Sequence, residues 1–349
     1  MAKVSGNNAP VRRKRTANLI LLGLGILVVV LAVLSFLVGR YPISPDKVVA
    51  MLVDRIIPVD AFWTDQEETI FFNVRLPRVV MAMLVGCCLS SAGAAYQGTF
   101  QNPLVSPDIL GASQGAAFGA AVAILLGFAS FGISAMAFVF AIITVLLVIA
   151  VAQAARGNQV LTVVLAGVMV SSLFSAGVSF TKLIADPADQ LPAITYWLMG
   201  SLVSIQPGDI SFAIKPMILG IIPLILLRWR INLLTVGEEE ALSMGINTTR
   251  LRLIVIICAT LLTAISVSIS GVIGWVGLVI PHFCRMIYGY DYRRLIPTTL
   301  LFGATFLIVV DNVARLATTG EIPIGILTSF IGAPIFFYLI LTGGAIRGD

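Results

Sequence analysis

The sequence predicts an all-α polytopic membrane protein with about ten transmembrane helices. Three observations carry that expectation. Of the 349 residues, 58% are hydrophobic and 11% charged, and the mean hydropathy is +1.02, whereas soluble domains run at about 45–50% apolar and about 25% charged. The apolar residues gather into runs long enough to cross about 30 Å of hydrocarbon at about 1.5 Å per helical residue. Basic residues cluster at the ends of those runs, as the positive-inside rule requires. The net charge of +5 is therefore topological, and no nucleic-acid partner is expected.

Taken in order, residues 1–17 form a basic cytoplasmic tail containing Arg12-Arg13-Lys14-Arg15, and residues 18–349 form one transmembrane domain. The first span, 18–38, is too long for a secretory signal core and lacks a small-x-small cleavage site. Residues 39–73 are polar, with Pro42, Pro45 and Pro58, and read as an outer loop carrying one short helix. The second span, 76–96, stops at Gln97-Gly98-Thr99-Phe100-Gln101-Asn102-Pro103. Ser106-Pro107 restarts a helix, with the proline in the first turn where its missing N–H costs nothing.

Spans three to five follow at 109–128, 131–153 and 160–184. Residues 186–209, with Tyr196-Trp197, suit an outer interfacial or re-entrant helix. Spans at 210–228, 251–273, 275–288, 296–314 and 323–342 complete the chain and put both termini in the cytoplasm.

Three polar features stand out against this background. Gly237-Glu238-Glu239-Glu240-Ala241-Leu242-Ser243-Met244-Gly245 is an acidic, helix-forming insert between two apolar runs, and flanking arginines place it in the cytoplasm. Arg75 and Arg78 lie outside in this topology, against the positive-inside rule, and Arg315 ends the ninth span on the same side. They either snorkel to the interface or form a cationic platform for an acidic partner. Asp311 lies inside a span, four residues before Arg315. An intrahelical ion pair explains it more simply than a proton relay, which needs a chain of titratable groups.

Cys87, Cys88, Cys258 and Cys284 lie in or beside apolar runs without a CxxC pair, and His282 stands alone after Pro281, so no metal site is expected. No nucleotide-binding glycine loop, GxSxG elbow, HExxH or dinucleotide fingerprint is present, so no catalytic residues are assigned.

The motifs Arg75-Leu76-Pro77-Arg78, Gln101-Asn102-Pro103-Leu104, Leu165-Ala166-Gly167-Val168, the acidic insert, Gly277-Leu278-Val279-Ile280-Pro281-His282 and Pro323-Ile324-Gly325 through Gly332-Ala333-Pro334 resemble those of the FecCD-type permeases. These are membrane subunits of type II ABC importers for ferric siderophores, haem and vitamin B12. The resemblance implies a fold like that of the vitamin B12 importer permease, in a prokaryotic cell membrane. It implies a second permease, identical (homodimer) or similar (heterodimer), two cytoplasmic ABC ATPases that use ATP and Mg, and an extracytoplasmic substrate-binding protein. This chain would itself bind no cofactor.

By the same resemblance, coupling helices near 237–247 contact the ATPase through Gly237, Glu238, Glu239, Glu240, Ala241, Met244 and Gly245. Arg75, Arg78 and Arg315 dock the binding protein, and Gln159, Val160 and Leu161 form the cytoplasmic gate. Gln97, Gln101, Ser171, Ser172 and Ser175 are assigned to the translocation path, although helix packing explains the serines almost as well. A ferric siderophore is the expected cargo, with haem and cobalamin as alternatives. An ion-coupled secondary transporter is the competing class, and the chain lacks the mid-membrane acids that it needs.

Overall fold

The computed structural model describes residues 9–155, 159–236, 238–318 and 320–341. These hold fourteen α-helices and no β-strand: α1 (Ala9–Leu37), α2 (Pro45–Asp54), α3 (Asp65–Ile70), α4 (Leu76–Thr99), α5 (Ala112–Leu125), α6 (Ser130–Ala154), α7 (Gln159–Ile184), α8 (Gln190–Leu198), α9 (Pro207–Val236), α10 (Glu238–Ser243), α11 (Thr248–Ser270), α12 (Val276–Tyr288), α13 (Tyr292–Leu316) and α14 (Ile324–Leu341). Seven stretches are long and apolar enough to cross a membrane, and α5, α12 and α14 contribute three shorter apolar helices. Together they supply the ten spans expected.

Helix α4 is the axis of the bundle and packs against α13, α11, α12 and α9. Its sequence, Gly86-Cys87-Cys88-Leu89-Ser90-Ser91-Ala92-Gly93-Ala94-Ala95, suits that position because lipid gives helices no hydrophobic reason to associate. Close backbone approach and interhelical hydrogen bonds must hold them instead. A Cβ at Gly86 would lie 2.2 Å from the Gly303 carbonyl oxygen, and one at Gly93 1.8 Å from that of Gly277. The Ser90 hydroxyl donates to Thr299 O on α13 at 2.7 Å, and Tyr96 shares a 2.7 Å hydroxyl contact with Thr260 on α11.

Burial divides the spans sharply. The most apolar windows of the helix containing α4 and of α11 are 78% buried, against 11% for α1 and 22% for both α7 and α9. The latter group faces lipid or a partner.

The helices α5 and α12 begin within the bundle, where Pro107 and Leu89 O crowd Gly277. At about 1.5 Å per residue the 13 residues of α12 rise only about 20 Å. The backbone of 105–111, with a 3-10 turn over Pro107–Leu110, and of 271–275 is tolerated inside the bundle because protein surrounds it.

Two boundaries differ from the sequence expectation. The second span is continuous with a helix that starts at Asp65. Thr64 and Glu67 form a reciprocal capping box, and a π-helical turn over Phe71–Arg75 joins α3 to α4. The charges on Asp65, Glu67 and Glu68 end the apolar run but not the helix, which simply leaves the lipid. The segment between the first two spans thus carries two short helices where the sequence predicts one, with Lys47 of α2 paired to Glu67 of α3 at 2.8 Å. Likewise α9 runs past Arg228 and Arg230 to Val236.

Substituting Gly93→Leu should cost more than about 3 kcal/mol through overpacking and yield aggregated protein on size-exclusion chromatography. Gly23→Leu is the control, since a Cβ at Gly23 meets nothing within 4 Å; it should elute as the parent does.

Candidate functional site

Polar side chains converge at the two ends of the bundle. At the end that carries α8, Arg75 leaves the π-helical turn and donates to the carbonyl of Phe36 at 2.7 Å and to that of Tyr41. Gly39 leaves room for it, because a Cβ there would lie 2.6 Å from Arg75 Nη2. Arg78 donates through Nε to Asp311 Oδ1 at 2.9 Å and sets Nη1 2.7 Å from Glu321 Oε2. Arg315 places Nε 3.2 Å from Asp311 Oδ2, donates to Ser35 Oγ at 2.6 Å and reaches Asn312 Oδ1.

The expected pair between Asp311 and Arg315 on one helix face is therefore present, as part of a larger network. That network joins α1, α4, α13 and the connection into α14.

The three arginines do not form an open platform. Arg75, Arg78 and Arg315 are 4%, 5% and 7% exposed, and Asp311 is 1% exposed. A carboxylate that deep costs several kcal/mol unless cations reach it, so Asp311 draws Arg78 and Arg315 inward. The carbonyls freed near the end of α1 hold Arg75 there as well. This corrects the outward-facing arrangement read from the sequence, and snorkelling to the interface is equally not what the structure shows.

At the opposite end, α10 is a six-residue helix between α9 and α11. Leu242 on this helix and Met244 in the turn after it are 55% and 52% exposed, with Glu240 also exposed. Ala241 is buried and faces its own bundle, so it offers nothing to a partner. Gly245 terminates the helix in a left-handed turn, φ +77°. Its N–H bonds Leu242 O, and the Ile246 N–H bonds Ala241 O, at 2.9 and 3.1 Å, which is the Schellman arrangement. Asn247 then caps α11 by accepting from Arg250 N. Ala241 and Gly245 thus shape the reversal and leave the contact surface to their neighbours. Gly237 and the side chains of Glu238 and Glu239 lie outside the described residues.

The residues assigned to the path separate. Ser172 and Ser175 lie on the exposed face of α7 with Val168 and Met169, and Ser172 Oγ donates back to Val168 O at 2.9 Å. Ser171 instead packs against the start of α5, where its Oγ would be 2.4 Å from a Cβ on Gly111.

Gln97 is only 2% exposed. Its amide donates to Val105 O at 3.0 Å and Gly277 O at 3.3 Å and accepts from Arg285, so it fastens α4 to α12 and does not line a path. Gln101, at φ +51°, is exposed and donates to Leu234 O near the end of α9, which ties it to the entry into α10 instead. Of the gate residues, Leu161 is exposed near the start of α7, and the side chains of Gln159 and Val160 lie outside the described residues.

Sequence reasoning missed Arg285 and Glu321. Arg285 is a buried cation in the apolar α12, held by Gln97 and Pro103 O. A lone arginine inside Val276–Tyr288 was the available signal. Glu321 gave none, since one acid in a polar connection is unremarked until folding sets it against Arg78. Among the described residues no group of three or more His, Cys, Asp or Glu side chains could hold a metal ion.

Comparison with known proteins places this architecture. The chain is 41% identical over 321 residues to the molybdate import system permease protein of Haemophilus influenzae, covering 92% of this chain and 95% of that one. It is 37% identical over 290 residues to the hemin transport system permease protein of Yersinia pestis, covering 81% and 84%. A solved inward-facing structure described as a metal-chelate type ABC transporter superposes with a TM-score of 0.83 at 40% identity, covering 93% of this chain and 99% of that one. Residues 27–342 match the model of the FecCD transport family, and the chain belongs to that family as a permease subunit of an ABC importer.

Changing Asp311→Asn should leave Arg78 and Arg315 buried against a neutral amide. The expected loss is about 3–5 kcal/mol, seen as a lower thermal unfolding midpoint in detergent. A midpoint equal to the parent's would show that Asp311 does not hold the network together.

Proposed function

We propose that the chain pairs with a second, identical or similar permease, two cytoplasmic ATPases and an extracytoplasmic binding protein, and that it moves a ferric siderophore into the cytoplasm of a prokaryote. The observation that carries the reading is α10. Two large apolar side chains, Leu242 on the short helix and Met244 in the turn that ends it, stand exposed beyond the lipid-facing spans, fixed by a Schellman turn between α9 and α11. An exposed apolar pair on a rigid mount suits a protein contact, and Glu240 beside it suits a basic rim. In this reading the α10 end and both termini are cytoplasmic.

ATP binding by the partner changes which arrangement of the spans is more stable, and α10 carries that preference into α9 and α11. The permease supplies alternating access and no covalent step; ATP and Mg belong to the ATPases. The binding protein docks at the α8 end, where Arg75, Arg78 and Arg315 supply the cations.

The face of α7 with Ser172 and Ser175 forms the path, and Leu161 with Gln159 and Val160 its cytoplasmic constriction. Residues 161–180 contain no charge. A path of small hydroxyls and apolar groups holds a bulky chelate weakly enough to release it. A molybdate-like oxyanion is the second reading, favoured by the 41% identical relative named for molybdate; haem and cobalamin are further alternatives.

The test is ATP-dependent uptake in proteoliposomes containing the assembled importer, with metal analysis of the lumen. Iron uptake from a ferric siderophore is the expected result, and uptake of molybdenum alone would overturn the cargo assignment. In the same vesicles the double change Leu242→Asp and Met244→Asp should lower ATP-driven uptake by at least about tenfold without altering the thermal midpoint. Full uptake would remove α10 from the coupling path.

A further inference from the structure

The buried arginines pose a problem for docking, because a partner cannot reach groups that the chain has covered with its own carboxylates. The network shows where the cover is thinnest. Arg78 and Arg315 are balanced by Asp311 and Glu321. Asp311 is locked between the two arginines at 1% side-chain exposure, whereas Glu321 keeps 22%.

Glu321 is also held less well than Asp311. Asp311 takes an aligned hydrogen bond from Arg78 on Oδ1 and has a second arginine, Arg315, 3.2 Å from Oδ2; Glu321 sets Oε2 2.7 Å from Arg78 Nη1, and that oxygen, like Asp311 Oδ2, lacks an aligned hydrogen bond. Asp311 is thus held by two arginines and one aligned charge-assisted bond, the stronger kind, and Glu321 by the contact with Arg78.

We propose that Glu321 is a displaceable latch that occupies the place of an incoming partner carboxylate. When the binding protein docks, its acidic side chain takes over Arg78, and Glu321 swings out to solvent. This rests on the docking reading given above and adds to it the group that must leave. Exchange of one carboxylate for another keeps the cluster neutral, which avoids the cost of an uncompensated buried cation. Displacement without replacement would leave that cation exposed to low dielectric, so the latch stays shut until a partner arrives.

The consequence lies in α14. Glu321 is in the connection from α13, and the next few residues fix the start of α14: Ile322 N donates to Ala314 O at 3.2 Å, and Ile324 N to Gly200 O at 2.8 Å. Gly325 follows so close to Met199 O that a Cβ would lie 2.3 Å away. Beyond it a cavity of about 670 Å³ is lined by Met199, Val272, Gly274, Ser329 and Phe330. Loosening Glu321 therefore frees the end of α14 that borders this cavity, and docking is coupled to the position of α14. A partner shifts such an equilibrium only through unequal affinity for the two states; competition with Glu321 supplies the inequality.

The experiment uses Glu321→Gln and Glu321→Asp in the importer assembled with its ATPases. Without the binding protein, backbone amides of residues 322–327 should exchange with deuterium about tenfold faster in Glu321→Gln than in the parent. Capture of the binding protein should tighten by about tenfold, since the competent state no longer competes with the latch. Glu321→Asp, which keeps the charge on a shorter arm, should fall between. Parental exchange rates in Glu321→Gln would overturn the latch. Faster exchange with unchanged or weaker capture would overturn displacement.

Arg75→Gln in the parent separates the two readings. If it weakens capture while Glu321→Gln leaves capture alone, docking at the arginines stands and the latch falls. Capture indifferent to Arg75→Gln and to salt overturns both.

Discussion

The approach of α4 to α12 and α13 at Gly93 and Gly86 is the constraint on which the remaining structure depends. With Cβ positions 1.8 and 2.2 Å from facing carbonyl oxygens, no other residue fits, and the backbones lie as close as helices allow. In lipid this closeness replaces the hydrophobic effect as the source of cohesion. It also sets the spacing of the functional ends. Arg78 and Gln97 stand at opposite ends of the same helix, 19 residues or about 29 Å apart. Arg78 fastens α4 to α13 near one surface and Gln97 fastens it to α12 near the other.

Buried polar groups serve the same purpose. Ser90, Tyr96, Gln97 and Asp311 are each at most 2% exposed, and each spends its hydrogen-bonding capacity on another helix. Inside a bilayer such groups are costly alone and specific in company. They fix which helices are neighbours and at what register, a choice that apolar contacts leave open. Arg285 extends the pattern to the connection between α4 and α5, through Pro103 O.

How much of this the sequence revealed depends on the range of the interaction. Spans were legible because hydropathy is a local property, and the pair between Asp311 and Arg315 because four residues on one helix are neighbours. The end of α10 at Gly245 was visible as a motif, but its physical meaning, a Schellman turn, needed the carbonyl partners. Arg75 and Arg78 drew attention by breaking the positive-inside rule and Arg315 by ending the ninth span on the same side. Their burial was not legible, because the groups that cover them come from α1, α13 and the connection before α14. Gln97 failed for the same reason: a glutamine at a helix end looks like a path or a cap until Gly277 and Arg285, 180 and 188 residues away, are placed beside it.

The distribution of serine on the surface adds a last step. The exposed faces of α1 and α6 carry aliphatic and aromatic residues suited to acyl chains, such as Leu22, Ile26 and Val29 on one and Phe131, Leu146 and Val151 on the other. The exposed face of α7 instead interleaves Ser172, Ser175 and Ser179 with Leu165, Val168 and Met169. Ser172 and Ser179 return their protons to carbonyls one turn back, which lowers the cost of facing an apolar phase but leaves oxygen lone pairs outward. Lipid has no use for such acceptors, whereas a second permease or a wet path does. The helix is uncharged from Gln159 as far as Thr181, so this face can contact either a partner or a passing cargo without binding it tightly. The subunit thus combines a buried framework around α4 with an exposed, uncharged, serine-bearing face on α7.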